Sequence, residues 1–105
     1  MAQAIVSTAR WGRLAKTLTA DATLTQAEQK TRILEFGGSG LSADVTVTLA
    51  AATDGHEWVV YNNTGYNLTL KVSGGTGITI ANARVAICYC DGTDVRRATA
   101  DSVRT

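Results

Sequence analysis

Proline is absent from the 105 residues, and the chain has one histidine, one phenylalanine, one methionine and two cysteines. Each scarcity removes something. Proline is a common guard of exposed strand edges, and its absence fits edges covered by a partner subunit. A single imidazole, His56, has to serve any catalytic triad or histidine-bearing zinc site. Charged residues make up 18% of the chain and the formal net charge is +1. No strongly basic balance of the kind that holds nucleic acid is present. No apolar run approaches the roughly 18–20 residues that span a bilayer, and no polar block is long enough to predict a large disordered region. The leading Met1–Val6 segment lacks a basic start and has too short an apolar stretch for a secretory signal, so folding in a cytoplasm is expected.

What the chain does have is strand grammar. Hydrophobic residues make up 45% of a length suited to one domain with one core. From Glu57 to Asp94, short β-branched and aromatic runs alternate with Asn/Gly/Asp clusters. Strands are predicted near 57–61, 66–72, 77–80 and 84–90. Asn62-Asn63-Thr64-Gly65 and Ser73-Gly74-Gly75-Thr76-Gly77 suit hairpin turns, with Asp91-Gly92 a third. Upstream, Ala43–Leu49 has the cleanest period of two, Arg32–Phe36 reads as a strand, and Gly37–Gly40 reads as a loop. Lys16–Thr25 reads as one strand, or two with a break near Asp21. Thr25 followed by Glu28 is a capping box opening a helical turn over Gln26–Lys30. Val95–Ala98 forms a last short strand, and 99–105 a loose polar tail.

The predicted fold is therefore all-β: a small antiparallel sandwich or barrel, jelly-roll-like, of about seven to nine strands. Its core draws on Val, Ile and Leu with Phe36, Trp58, Tyr61, Cys88 and Cys90. The domain covers residues 17–98. Residues 1–16 differ in character: Arg10, Arg13 and Lys16 carry three positive charges without an acid, and Trp11 sits between the arginines. One reading is a frayed terminus or a first strand. The other is an arm that lies on a neighbouring protein, with Ile5, Val6, Arg10, Trp11, Arg13, Leu14 and Lys16 as contact residues, because aromatics and arginine dominate interface hot spots.

Motifs for chemistry are weak. His56-Glu57 lacks the second histidine four residues on, where Val60 stands. His56 follows a turn and is expected to be exposed. Ser73–Gly77 is glycine-rich but leads into Ile78-Thr79-Ile80, a strand, where a phosphate loop needs Lys-Ser/Thr and a helix. Asp91-Gly92-Thr93-Asp94 is too short for a calcium loop and reads as a turn. Cys88 and Cys90 share one strand face with parallel Cβ vectors, so they read as small buried hydrophobes. Trp58, Tyr61, Tyr66 and Tyr89 offer stacking surfaces for a sugar, but both faces of the Trp58 strand are apolar and burial on both sides is expected.

Taken together, Trp58-Val59-Val60-Tyr61-Asn62-Asn63-Thr64-Gly65, then Leu68-Thr69-Leu70-Lys71-Val72, a Gly75-Thr76-Gly77 turn and the closing Cys88-Tyr89-Cys90-Asp91-Gly92-Thr93-Asp94-Val95 resemble small β domains of tailed-bacteriophage virion proteins. Such domains occur in tail fibres, in tail spikes and as stand-alone capsid decoration, or cement, proteins. The resemblance covers the second half to two-thirds of the chain. It departs at Ala83-Arg84, where many such domains carry a glycine turn. It implies a structural protein of the virion, made in a bacterial cytoplasm. The protein would be a homotrimer that binds the major capsid protein and stabilises the assembled head, gripping through the arm. A small tail component is the alternative and a carbohydrate-binding module a more distant one. No enzymatic activity, cofactor, metal, nucleic acid, membrane or small-molecule substrate is expected.

Overall fold

The computed structural model describes residues 12–52 and 55–103. Among them are ten strands and one short helix: β1 Arg13–Leu18, β2 Ala22–Thr23, α1 Gln26–Gln29, β3 Ile33–Gly38, β4 Val45–Leu49, β5 Glu57–Asn63, β6 Leu68–Val72, β7 Ile78–Ile80, β8 Arg84–Cys90, β9 Val95–Arg97 and β10 Ser102–Val103. They form a two-layer all-β sandwich. Sheet A runs β1-β3-β5-β8, with β9 and β10 both on the far edge of β8. Sheet B runs β2-β4-β6-β7.

Alternation builds both layers. In β4 and β6 every second residue is buried (Val45, Val47 and Leu49; Leu68, Leu70 and Val72), and threonines or a lysine stand between them. Sheet A supplies Leu18, Leu34, Phe36, Trp58, Val60, Ala86, Cys88 and Cys90 from its inner face. The two inner faces make one core, and the strong period of two is the pattern that one-sided burial produces.

The all-β sandwich is as the sequence predicts, but its pairing is not purely antiparallel, jelly-roll-like or barrel-forming. Four of the eight strand pairings are parallel: β1 with β3, β3 with β5, β2 with β4, and β4 with β6. The chain crosses from one sheet to the other after each of its first five strands. Each strand therefore returns to its own sheet one coil later, pointing the same way as its predecessor. Asn62–Gly65 does not close a hairpin but turns the corner between sheets, because β5 and β6 lie in different layers. Hairpins form where the turn stays within one sheet, at 73–77 between β6 and β7 and at 91–94 between β8 and β9. Gly37 and Gly38 belong to β3 rather than to a loop. The polar tail is tied down as well, with Ser102 and Val103 paired to Val85 and Arg84.

The coils share a fastening. Asp21 Oδ1 accepts the Thr46 N–H at 2.9 Å, and Asp44 Oδ1 accepts the Asn67 N–H at 3.1 Å. Each aspartate stands just before a strand of sheet B and bonds to the next coil. The sequence around them repeats: Ala20-Asp21-Ala22-Thr23-Leu24-Thr25 and Ala43-Asp44-Val45-Thr46-Val47-Thr48.

α1 opens on the predicted capping box. The Glu28 N–H donates to Thr25 Oγ1 at 3.1 Å and the Thr25 N–H to Glu28 Oε1 at 2.9 Å. That backbone bond, with Lys16 Nζ donating to Glu28 Oε2 at 3.0 Å, lowers the Glu28 carboxyl below its ordinary pKa. Gln29, buried in the same turn, donates to Ala51 O at 2.8 Å and accepts from the Ala51 N–H at 3.2 Å. Its own carbonyl receives Trp58 Nε1–H at 2.8 Å. The helix is thereby fixed to both the β4–β5 connection and the core.

Candidate interaction surface

The outer faces of a sandwich meet water, so both should read polar. Sheet B obeys. Its outward positions are Thr46 and Thr48 on β4, Thr69 and Lys71 on β6, and Thr79 on β7. Thr69 and Thr79 share a hydroxyl hydrogen bond of 3.0 Å across the strands.

Sheet A does not obey. Ile33, Val59 and Ile87 are in register across three neighbouring strands and all point outward. Tyr61 and Val85 form the next row, and Tyr89 flanks Ile87 one step along β8 in the other direction. Ile87 is 45% exposed and Tyr89 37%. Tyr61, predicted for the core, is half-buried on this outer face, while Trp58 beside it is inside. Ion pairs border the apolar patch. Arg13 Nη1 meets Glu35 Oε1 at 2.8 Å on one side, and Arg96 Nε meets Asp91 Oδ2 at 2.8 Å on the other. Beyond Tyr61, Gly37 leaves a shallow notch of about 240 Å³ walled by Thr17, Tyr61 and Asn63.

The body beneath this face is locked by two buried polar residues. Asn62 is fully enclosed. Its Nδ2 donates to Tyr66 O at 2.8 Å and Ile80 O at 2.7 Å, and its Oδ1 accepts from Thr64 N–H at 3.0 Å and Thr64 Oγ1–H at 2.7 Å. Asp94 Oδ1 accepts the N–H groups of Val72 at 3.2 Å and Val95 at 2.8 Å, and Oδ2 those of Thr76 and Gly77, each at 2.7 Å. Burial alone would raise the Asp94 carboxyl, but the four donors outweigh it, so it titrates below its ordinary value. These donors span β6, the β6–β7 turn and β9, so one carboxylate joins the hairpin of sheet B to that of sheet A. Gly75 is required there, because a Cβ at that position would meet the Asp94 carboxylate. Asp91 forms the predicted turn, accepting the N–H groups of Thr93 and Asp94 at 2.9 and 3.0 Å. With Arg96 as its strongest partner, its carboxyl is held well below the usual range. The sequence around Asn62 and Asp94 predicts turns. Their signals, Asn-x-Thr and Asp-x-x-Asp, say that the backbone turns but not that the side chain faces inward.

Of the predicted contact residues, Arg13, Leu14 and Lys16 lie in β1, paired to β3 in sheet A, so the β domain includes residues from Arg13 on rather than beginning at residue 17. Arg13 is exposed on the outer face, while Leu14 packs against the core and Lys16 bonds to Glu28. The three do not form one cluster. Ile5, Val6, Arg10 and Trp11 lie outside the described residues.

The candidates for chemistry have structural settings. His56 is not exposed as predicted but half-buried, its ring centroid 4.7 Å from that of Trp58. Cys88 and Cys90 are buried and unbridged, and burial pushes the Cys88 thiol up to about 12, which keeps it protonated. Among the described residues, no group of three His, Cys, Asp or Glu side chains is placed to hold a metal ion, and no helix is long and apolar enough to cross a membrane. Comparison with protein-family models, with curated proteins and with solved structures gives no match.

Proposed function

We propose that this chain is a structural protein of a tailed-bacteriophage virion: a homotrimeric decoration protein that binds the major capsid protein of the assembled head. What supports the reading is the outer face of sheet A, an apolar patch bordered by ion pairs and mounted on a body braced at its corners by Asn62 and Asp94. Such a face suits contact with protein. The braces fall on residues that carry the resemblance, Asn62-Asn63-Thr64-Gly65 and Asp91-Gly92-Thr93-Asp94, so the shared pattern is one of architecture rather than of catalysis. Ala83, where the resemblance departs, adopts φ +66°, the left-handed conformation that a glycine would take there.

In this reading Ile5, Val6, Arg10 and Trp11 grip the shell, and Arg10 meets acidic capsid surface. Binding only to assembled shells would oppose disassembly by mass action. Counting copies of the chain in purified virions tests the proposal. A number that scales with the icosahedral lattice is the expected result. A handful of copies confined to the tail would replace it with the tail-component reading. A sugar-stacking role has lost its platform in Trp58, which is 1% exposed.

A further inference from the structure

Gly37 is a glycine without a local reason. Six others take a positive φ, and Gly38 and Gly75 are hemmed in by Thr64 and Asp94. Gly37 lies inside β3, its φ is not positive, and a Cβ built on it has nothing within 4 Å. A small side chain would fit there and would spare the backbone entropy that glycine loses on folding. A glycine inside a strand often marks a place where a ligand approaches the backbone closely.

What Gly37 leaves open is the hollow of about 240 Å³ on the outer face of sheet A. Register sets its walls. Thr17, Gly37 and Asn63 form one outward row, and Ala15, Glu35 and Tyr61 form the row beside it. A floor without a side chain is thus bordered by a phenol ring, an amide, a hydroxyl and a carboxylate. We infer that this hollow binds one neutral pyranose ring of a glycan. The inference goes beyond the virion reading and does not depend on it.

Size, chemistry and charge select the ligand. The volume equals about eight waters at roughly 30 Å³ each. It falls below the roughly 300–1,000 Å³ of pockets for drug-sized molecules, which leaves room for one ring. A pyranose has an apolar C–H face and a belt of hydroxyls that both donate and accept. Tyr61 offers aromatic surface to the first, while Thr17 and Asn63 donate and accept and Glu35 accepts. The bases are already engaged: Lys16, which borders the hollow, is held by Glu28 at 3.0 Å, and Arg13 by Glu35 at 2.8 Å. A phosphate therefore finds no unpaired base there, and Glu35 is already balanced against a cation. Two larger hollows, of about 390 and 400 Å³, have no aromatic wall. The row Ile33–Val59–Ile87 lies four residues along β3 from Gly37, about 13 Å at 3.3 Å per residue. Protein seated on that row leaves the hollow to the sugar.

Titrating the full chain with the methyl glycosides of glucose, galactose, mannose and N-acetylglucosamine, followed by NMR, tests the inference. At least one should bind with a dissociation constant of roughly a millimolar, as a single ring supports. It should shift the Gly37 amide and Tyr61 ring signals, and added salt should leave its affinity unchanged. Gly37→Val fills the hollow and should remove binding while the β spectrum in circular dichroism and the melting temperature are kept. Asn63→Ala should weaken binding by about two- to tenfold, the loss of one hydrogen bond, and decides the matter if valine disturbs the strand. Thr79→Ala, on the outer face of sheet B, should bind as wild type does. Failure of all four glycosides to bind, shifts that spare Gly37, or affinity untouched by Gly37→Val and Asn63→Ala overturns the inference. So does an affinity that falls steeply with salt, which assigns the hollow to a charged ligand. Each of these outcomes leaves the copy number in virions, and with it the proposed function, to be judged separately.

Discussion

Replacing Asp94 by Asn tests the internal bracing most directly. The carboxylate receives four N–H groups, two on each oxygen, at 2.7–3.2 Å. An amide in its better orientation keeps one oxygen and turns its NH₂ toward the two donors facing the other. Two charge-assisted bonds are lost, each worth about 1.5–3 kcal/mol, so the expected cost is about 3–6 kcal/mol. A domain of this size has about 5–15 kcal/mol in all, so the variant should lose a large part of its stability at room temperature. Urea unfolding followed by circular dichroism should show a much lower midpoint with an unchanged slope. The pH dependence is a second check. The folded Asp94 carboxyl lies below its unfolded value of about 3.9. Its contribution is therefore complete above the unfolded value and disappears as pH falls through the folded one. The difference between wild type and variant should stand in full above about pH 5 and narrow as the solution is made more acid than the unfolded value. A difference below about 1 kcal/mol at pH 7, or one that does not narrow in acid, refutes the account of Asp94 as the clasp between the two hairpins.

Other substitutions probe neighbouring parts of the argument. Gly75→Ala drives a methyl into the locked Asp94 carboxylate and should cost about 2 kcal/mol or more in the same urea assay; a neutral effect would show that the turn yields. Ala83→Gly relieves a non-glycine residue at φ +66° and should stabilise by up to about 1 kcal/mol, the left-handed penalty exceeding glycine's entropic cost; a lower melting temperature would contradict this. Deleting residues 1–11 should leave a folded domain that no longer binds its particle. Deleting 1–15 removes half of β1 and should lower the melting temperature as well; equal stability of the two truncations would count against β1 as part of the domain. Trp11→Ala should weaken particle binding by about 2 kcal/mol if the arm is the grip, and an unchanged affinity would remove Trp11 from it.

Strand positions were legible because one-sided burial writes a period of two into Val45–Leu49, Leu68–Val72 and Arg84–Cys90. The hairpins at 73–77 and 91–94 and the Thr25–Glu28 cap were legible because their chemistry is local. Strand direction was not. A period of two says which side of a strand is buried and nothing about which strand lies beside it. Asn62–Gly65 has the composition of a hairpin but serves as a corner. The available signal was the repeated Ala-Asp-x-Thr-x-Thr at 20–25 and 43–48, which marks successive coils. The interaction face was half legible. Val59 and Tyr61 showed that the outer side of β5 is apolar, but that side was expected to be covered. That Ile33 and Ile87 fall in line with Val59 depends on register, which the sequence does not state.

The winding also makes the two ends of the molecule unequal. Antiparallel strands finish one end, while at the other end of the described residues the first coil, β1 and β2, pairs in parallel with its successor and is fastened to it by Asp21. A duplicate of residues 20–42 inserted after 42 would add one rung to each layer, reuse the Asp21 fastening, and lengthen the body by about 4.8 Å. The finishing hairpins would be untouched. The fold is in that sense a ruler whose length is set by how often one short passage of sequence is repeated.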